Sequence, residues 1–315
     1  MKLLITRPLP DPVVEAARRH YDVTVRPQTL PLSTAEMTAA LAGFDAVLPT
    51  LGDRFQAPVF AAVPKPRARI LANFGVGVNH IDVGAARAAG LQVTNTPGAV
   101  TDATADIAML VILATARRAG EGERLLRAGK WEGWHPTQLL GFHVTGKRLG
   151  IIGMGRIGKA IARRAHLGFG MEVVFSNRSV VSDPGVPAKQ VPMADAMAAD
   201  VVVVAVPATP ATHHLIDATA LACMQPHAFF INIARGDVVD ETALIAALKS
   251  GQIAGAGLDV YEFEPKVPPE LIAMENVTLL PHLGTASLEV RTGMGMMAVE
   301  NLAAFAEGRP LPNPV

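Results

Sequence analysis

The 315-residue sequence predicts an α/β protein made of two doubly wound parallel-sheet domains. Three observations carry that prediction. Short β-like runs alternate with helix-compatible segments; the alternation breaks once at a long helical stretch and restarts; and most runs of the second set are continuously apolar, as expected of strands covered by helices on both faces. Length alone agrees, giving about two domains.

The first set places strands at residues 2–6, 22–26, 46–50, 69–72 and 91–94. Helix-compatible segments lie between them at 12–20, 33–42 and 82–89. Ser33 is a natural N-cap, and Glu36 three residues on completes a capping box. A long helix is expected over 101–118. Six further strands follow at 148–152, 172–175, 201–206, 228–232, 256–260 and 277–280. A last helix at 288–307 comes after this set is complete, so it is expected to pack back on the first domain. The organisation that results is a discontinuous domain, 1–98 with 286–315, around an inserted domain, 99–285. Junctions rich in Gly and Pro at 96–98 and 281–284 are the expected hinges.

Composition excludes several classes of function. Half the residues are hydrophobic and 18% are charged, which leaves ample apolar material for buried sheets. Lys plus Arg equals Asp plus Glu at 28 each, so no single-sign field draws the chain to nucleic acid or anionic lipid. Apolar runs such as 201–206 fall far below the roughly 20 residues that cross a bilayer. The single cysteine, Cys223, makes no intramolecular disulfide, and Pro8 interrupts the N-terminus before a signal-peptide core develops. A cytoplasmic protein with no membrane or nucleic-acid partner is expected, and no metal site.

The first strand of the second set runs into Gly153-Met154-Gly155-Arg156-Ile157-Gly158, which opens a helix-like segment at 159–167. In this strand-to-helix context the spacing is a dinucleotide fingerprint. The first glycine makes the tight turn, the second lets backbone approach the pyrophosphate, and the third lets helix pack on strand. About 20 residues on, such sites usually carry an Asp or Glu for the adenosine ribose; here the strand ends in Ser176-Asn177-Arg178-Ser179. Loss of the acid removes the barrier to a 2′-phosphate, and the Arg178 guanidinium can pair with one bidentately. Asn177 and Ser179 can add neutral hydrogen bonds. NADP(H) is therefore expected in preference to NAD(H), with a merely solvated Arg178 as the alternative.

Three later strands end in ionisable residues: Arg235, then Asp259 and Glu264, then His282. The carboxyl edge of an open parallel sheet is where ligands bind, so an arginine, a carboxylate and a histidine are expected at one crevice. A histidine titrates near neutral pH, and a neighbouring carboxylate orients it and favours its protonated form. An arginine there can clamp a substrate carboxylate and polarise a carbonyl.

In these motifs and their order the sequence resembles the D-isomer-specific 2-hydroxyacid dehydrogenase family along essentially its whole length. The matching pieces run from Phe74-Gly75-Val76-Gly77 through the glycine fingerprint, Val206-Pro207 to Thr212, Asn232-Ile233-Ala234-Arg235-Gly236, Gly257-Leu258-Asp259, Glu264-Pro265 and Pro281-His282-Leu283-Gly284. The resemblance implies a Rossmann nucleotide domain inserted in a flavodoxin-like substrate domain. Within the family the sequence is most similar to glyoxylate/hydroxypyruvate reductases. It implies His282 as proton donor and acceptor, Glu264 as its partner, and Arg235 as the 2-oxo acid clamp. It places the substrate carboxylate on the backbone N–H groups of Val76 and Gly77. Cofactor contacts are implied at Thr104, Arg156, Ile157, Val206, Pro207, Thr212, Ile233, Ala234, Asp259, His282 and Gly284. Leu51 and Gly52 are expected to size the pocket. Residues 119–146 resemble the family's dimerisation arm, which implies a homodimer, and Trp134 either enters a partner's site or belongs to interface core. Glu264 argues against the formate branch, which has Gln there, and Val76 against the phosphite branch, which has Lys. The chain stops at Val315, short of the regulatory domains frequent in phosphoglycerate dehydrogenases. Reduction of another or bulkier 2-oxo acid stays open, as does a nucleotide-sensing corepressor on the same fold.

Overall fold

The computed structural model describes residues Met1–Val315, which form two compact units: Met1–Val100 with Thr285–Val315, and Thr101–Gly284.

The first unit contains β1 (Lys2–Ile5), α1 (Asp11–Arg18), β2 (Asp22–Val25), α2 (Thr34–Gly43), β3 (Ala46–Leu48), α3 (Ala57–Ala61), β4 (Ile70–Ala72), α4 (Val83–Ala88) and β5 (Gln92–Thr94). All pairings in its sheet are parallel and the strand order is β2-β1-β3-β4-β5, the flavodoxin-like winding. The Ser33–Glu36 capping box forms as the sequence requires. Side-chain alternation explains why β1 is apolar after the exposed Lys2. Leu3 and Ile5 pack on the face covered by α1 and the C-terminal helix, while Leu4 joins Leu41, Phe55 and Phe60 on the opposite face.

The second unit begins with α5 (Thr101–Ala116) and α6 (Ala119–Arg127) and continues through β6 (Arg148–Ile152), α7 (Arg156–Phe169), β7 (Glu172–Ser176), β8 (Ala188–Gln190), α8 (Met193–Met197), β9 (Val201–Val204), α9 (Ala218–Leu221), β10 (Phe229–Asn232), α10 (Glu241–Lys249), β11 (Gly255–Leu258), α11 (Pro269–Ala273) and β12 (Val277–Leu279). Its sheet is parallel throughout, ordered β12-β11-β10-β9-β6-β7-β8. Val201 and Val203 face one core, Val202 and Val204 the other. The strand order reverses direction between β6 and β9, which makes the carboxyl ends of those two strands the switch point. The sheet has seven strands where the sequence suggested six. β8 escapes a hydrophobic reading because it is a three-residue edge strand, Ala-Lys-Gln, with no buried residue.

The closing helix, α12 (Leu288–Ala306), belongs to the first unit: Ala298, Val299 and Leu302 pack with Val13 and Ala17 of α1. No helix is long and apolar enough to cross a membrane.

Candidate active site

Strand register in the second unit brings the predicted residues to one edge. Ile152 pairs with Ser176 and Val204, Val204 with Asn232, Asn232 with Leu258, and Leu258 with Leu279. The residues that follow each strand therefore emerge side by side.

At the switch point, the three fingerprint glycines are distinguished by what a side chain would meet. A Cβ on Gly153 would lie 2.7 Å from Val206 Cγ1 and 2.8 Å from the Ala205 carbonyl oxygen, and Gly153 has φ +103. One on Gly158 would lie 2.1 Å from the Gly153 oxygen. One on Gly155 would meet nothing within 4 Å. Folding accounts for the first and third glycines but not the second, whose bare surface is left for a ligand. No side chain caps α7, so the N–H groups of its first turn, at Arg156, Ile157 and Gly158, suit an anionic phosphate. These features fit a bound dinucleotide.

Beyond β7, Arg178 is exposed and makes no hydrogen bond or ion pair, and Ser179 is exposed beside it. Asn177 departs from the expected role. Its Oδ1 accepts the Met154 N–H at 3.1 Å and its Nδ2 donates to the carbonyl and hydroxyl oxygens of Ser179. Its side chain ties the loop to the glycine turn instead of standing free for a ligand. Gln190, on β8, completes the brace: its Nε2 donates to the Asn177 and Ser179 carbonyls and its Oε1 accepts from the Val181 N–H. Sequence reasoning missed Gln190 together with its strand. Thr212 is likewise committed locally, donating to Pro207 O at 2.7 Å and accepting the Thr209 N–H, which pins the loop that begins at Val206 and Pro207.

Three strands further along lies the ionisable group. Asn232 shapes its first member: its Oδ1 accepts from the Ala234 N–H and its Nδ2 donates to the Arg235 carbonyl, with Ile233 and Ala234 buried between. Gly236 follows, and no other residue fits there, because a Cβ would stand 1.8 Å from the Tyr261 carbonyl carbon and 2.2 Å from the Glu262 nitrogen. Burial pushes the Arg235 guanidinium down from its usual range, against the charges of Glu264 and Asp237 that hold it up; it stays protonated at neutral pH.

Glu264, in the loop after β11, accepts from the Tyr261 N–H at 3.1 Å through Oε1 and meets His282 Nδ1 at 2.9 Å through Oε2. Burial works to raise its carboxyl, but the hydrogen bond and charge of His282, the Tyr261 N–H and the Arg235 charge together hold it below the usual carboxylate range. An ionised Glu264 accepts from Nδ1–H, which leaves His282 Nε2 for other work. His282 sits at φ +55, an unusual conformation for a residue with a β-carbon. Asp259 maintains it. The Asp259 carbonyl accepts the His282 N–H, and its buried carboxylate accepts the N–H groups of Leu283 at 2.6 Å and Gly284 at 2.8 Å. Burial raises the Asp259 carboxyl. Thr104, buried on α5, donates to the Gly284 carbonyl at 3.3 Å. In this structure both residues shape the His282 turn.

In the first unit the carbonyls of the glycine loop are all engaged. Asn73 Nδ2 donates to Gly75 O and Gly77 O, Asn95 Nδ2 to Val76 O, and the Thr96 N–H to Gly75 O. The N–H groups of Val76 and Gly77 have no partner. Buried Asp53 similarly organises the turn after β3, accepting from Thr6, Leu32 and Thr50, while Arg7 donates to Leu51 O and lies near Gly52. Asn73, Asn95 and Asp53 act on backbone, so a sequence search for reactive side chains passes them over.

Two sheets of this winding, with a phosphate-type loop at the switch point and an Arg–Glu–His group farther along the same edge, define a class of dinucleotide-dependent oxidoreductases. Residues 109–284 match the family model for the D-isomer specific 2-hydroxyacid dehydrogenase, NAD binding domain. The chain is 42% identical over 320 residues to a glyoxylate reductase of Thermococcus onnurineus, covering 99% of this chain and 94% of the relative. A solved protein of Thermus thermophilus superposes with TM-score 0.92 at 42% identity, with all of both chains covered. An NADPH-dependent glyoxylate/hydroxypyruvate reductase of Sinorhizobium meliloti, solved with NADP and malonate, gives TM-score 0.87 at 35% identity over 100% of this chain and 96% of that one. The chain belongs to the D-isomer-specific 2-hydroxyacid dehydrogenase family.

Proposed function

We propose that the protein is an NADPH-dependent reductase of small 2-oxo acids, glyoxylate and hydroxypyruvate among them. The observation that carries the reading is the hydrogen-bonded His282–Glu264 pair, with Arg235 charge-coupled to Glu264, on the sheet edge that also holds the glycine fingerprint. Glyoxylate reductase relatives support the substrate class. When bound, NADPH supplies the hydride for the carbonyl carbon. Arg235 orients the 2-oxo acid and withdraws charge toward its oxygen, and His282 delivers a proton to that oxygen from Nε2 while Glu264 holds Nδ1–H. The free N–H groups of Val76 and Gly77 suit the substrate carboxylate. Asp259, Thr104 and Gly284 keep the His282 turn at the nicotinamide end.

The preference for NADPH rests on Arg178, unpaired and exposed in a loop that lacks the usual acid. The dimer belongs to the same reading. The arm at 119–146 contains α6, which buries none of its residues, and it exposes Leu126, Trp131, Leu140 and, at 79%, Trp134. So much apolar surface in one segment suits a second copy of the chain.

Absorbance of the reduced nicotinamide, followed with NADPH or NADH while glyoxylate, hydroxypyruvate, pyruvate or a bulkier 2-oxo acid is added, tests the proposal. Turnover with the small acids is expected, and no oxidation with any of them refutes the enzyme. Arg178→Ala should raise the NADPH KM at least ~10-fold and leave the NADH KM within ~3-fold, one bidentate phosphate contact being lost. Faster turnover with NADH than NADPH refutes the cofactor preference.

A further inference from the structure

We propose that His213, His214 and Glu262 form a binding site for one divalent transition-metal ion of the zinc type, and that filling it slows turnover. No sequence spacing announces this site, because its third member comes from a distant loop: Glu262 lies 48 residues beyond His214.

The two histidine rings lie stacked, centroids 4.0 Å apart and planes at 24°. His214 Nε2 is 2.8 Å from Glu262 Oε1, and one donor atom from each of the three residues falls within 4.8 Å of the others. The His214–Glu262 hydrogen bond alone would account for those two residues. It leaves His213 unexplained, an exposed imidazole with no hydrogen bond of its own that stacks on His214.

Two imidazoles and a carboxylate are the donors that Zn²⁺ favours, at about 2.0–2.2 Å each, with a fourth position left to water. Such bonds around a tetrahedral ion separate the donor atoms by roughly 3.3 Å. The His214–Glu262 pair must therefore open slightly, and His213 must turn inward by up to about 1.5 Å, a movement open to an exposed side chain. Mg²⁺ and Ca²⁺ prefer all-oxygen shells and are disfavoured.

Two of the three residues are wired to the loops of the candidate active site. The His214 N–H donates to Asp237 O, in the turn that follows Arg235. The Glu262 N–H donates to buried Glu241, and Glu264 is two residues away. An ion that parts Glu262 from His214 shifts the segment that holds Glu264 against His282. Inhibition should then lower kcat without competition from the 2-oxo acid.

Calorimetric titration of chelator-treated full-length protein with Zn²⁺ tests the site. One ion per chain is expected, with affinity at least ~10-fold weaker in His213→Ala and in Glu262→Gln. No stoichiometric Zn²⁺ binding, or equal affinity in His213→Ala, overturns the site. The His213 side chain is exposed and makes no hydrogen bond, and its backbone N–H bond to Thr209 survives the change, so its replacement leaves the fold intact. The inhibitory half rests on the reductase reading. Zn²⁺ should slow NADPH oxidation in the wild type and much less in His213→Ala; Zn²⁺ bound with full activity overturns the coupling. A protein that binds Zn²⁺ but reduces no 2-oxo acid refutes the reductase reading and leaves the site standing.

Discussion

Two alanine substitutions in the glycine fingerprint should have opposite consequences. A Cβ at position 158 would lie 2.1 Å from the Gly153 carbonyl oxygen, where an ordinary carbon–oxygen contact is about 3.4 Å. The start of α7 must then withdraw from the β6 turn by about 1 Å, and overpacking of that kind costs about 1–3 kcal/mol. At roughly 2–4 °C per kcal/mol for a domain of this size, Gly158→Ala should melt several degrees below wild type. At position 155 a Cβ meets nothing within 4 Å and φ is −80. Alanine there restricts the unfolded chain and should be neutral or stabilising by about 0.4–1 kcal/mol. If pyrophosphate occupies that open space, the added methyl forces it off the N–H groups of α7. Loss of a hydrogen bond to a charged group costs about 1.5–3 kcal/mol, or roughly 10- to 100-fold in Kd. Scanning calorimetry and fluorescence titration with NADPH read the two effects separately. Unchanged NADPH affinity in Gly155→Ala would remove the pyrophosphate from that position. A fall in Tm equal to that of Gly158→Ala would refute the argument from open space.

The charged group and its supports give further expectations. Glu264 has its pKa lowered in the folded state, so its pairing contributes stability that is present above the unfolded value of about 4.3 and is lost as pH falls through the folded one. The Tm deficit of Glu264→Gln should accordingly be widest near neutrality and close as melts are repeated in acid; a deficit independent of pH counts against the pairing. Asp259→Asn offers one acceptor where two N–H groups converge, at a cost of about 1–3 kcal/mol, and by loosening the His282 turn should depress kcat more than the NADPH KM. Gln190→Leu removes three hydrogen bonds from the Arg178 loop and should reduce the NADPH-over-NADH ratio of kcat/KM several-fold; an unaltered ratio means that the loop holds its shape without the brace.

Legibility of the fold in the sequence followed burial. The paired strands in the middle of each sheet are continuous apolar runs because both faces are covered, and the residues after them fall at predictable places. β8 was invisible because a short edge strand needs no hydrophobic signature. Arg235, Glu264 and His282 could be picked out because ionisable side chains follow strand ends, where parallel sheets put ligands. The residues that support the loops of each unit could not. Asn232, Asn73 and Gln190 act by bonding to backbone a few residues away, or on another strand, and a polar side chain near a turn looks the same whether or not it does so. Asp259 was legible at its strand end as a cofactor contact, but not as the acceptor for the Leu283 and Gly284 N–H groups. Asn177 shows the converse: its position suggested a ligand contact, whereas its geometry ties two loops together.

The same structure explains why the ionisable residues depend on one another. Arg235 is carried into a site where burial opposes its charge, and Glu264 and Asp237 offset that penalty. Glu264 in turn is kept ionised against its own burial by His282 and Arg235. Gly236 makes the arrangement sterically possible, because any larger residue would drive the turn after Arg235 away from the Tyr261–Glu262 backbone. Removal of one charge therefore leaves another buried without its counterpart, a loss that exceeds the worth of the contact itself. Effects of substitutions within the group must be strongly non-additive, and conservative-looking changes such as Arg235→Lys cannot be neutral, since a point charge does not reproduce the planar fork of a guanidinium.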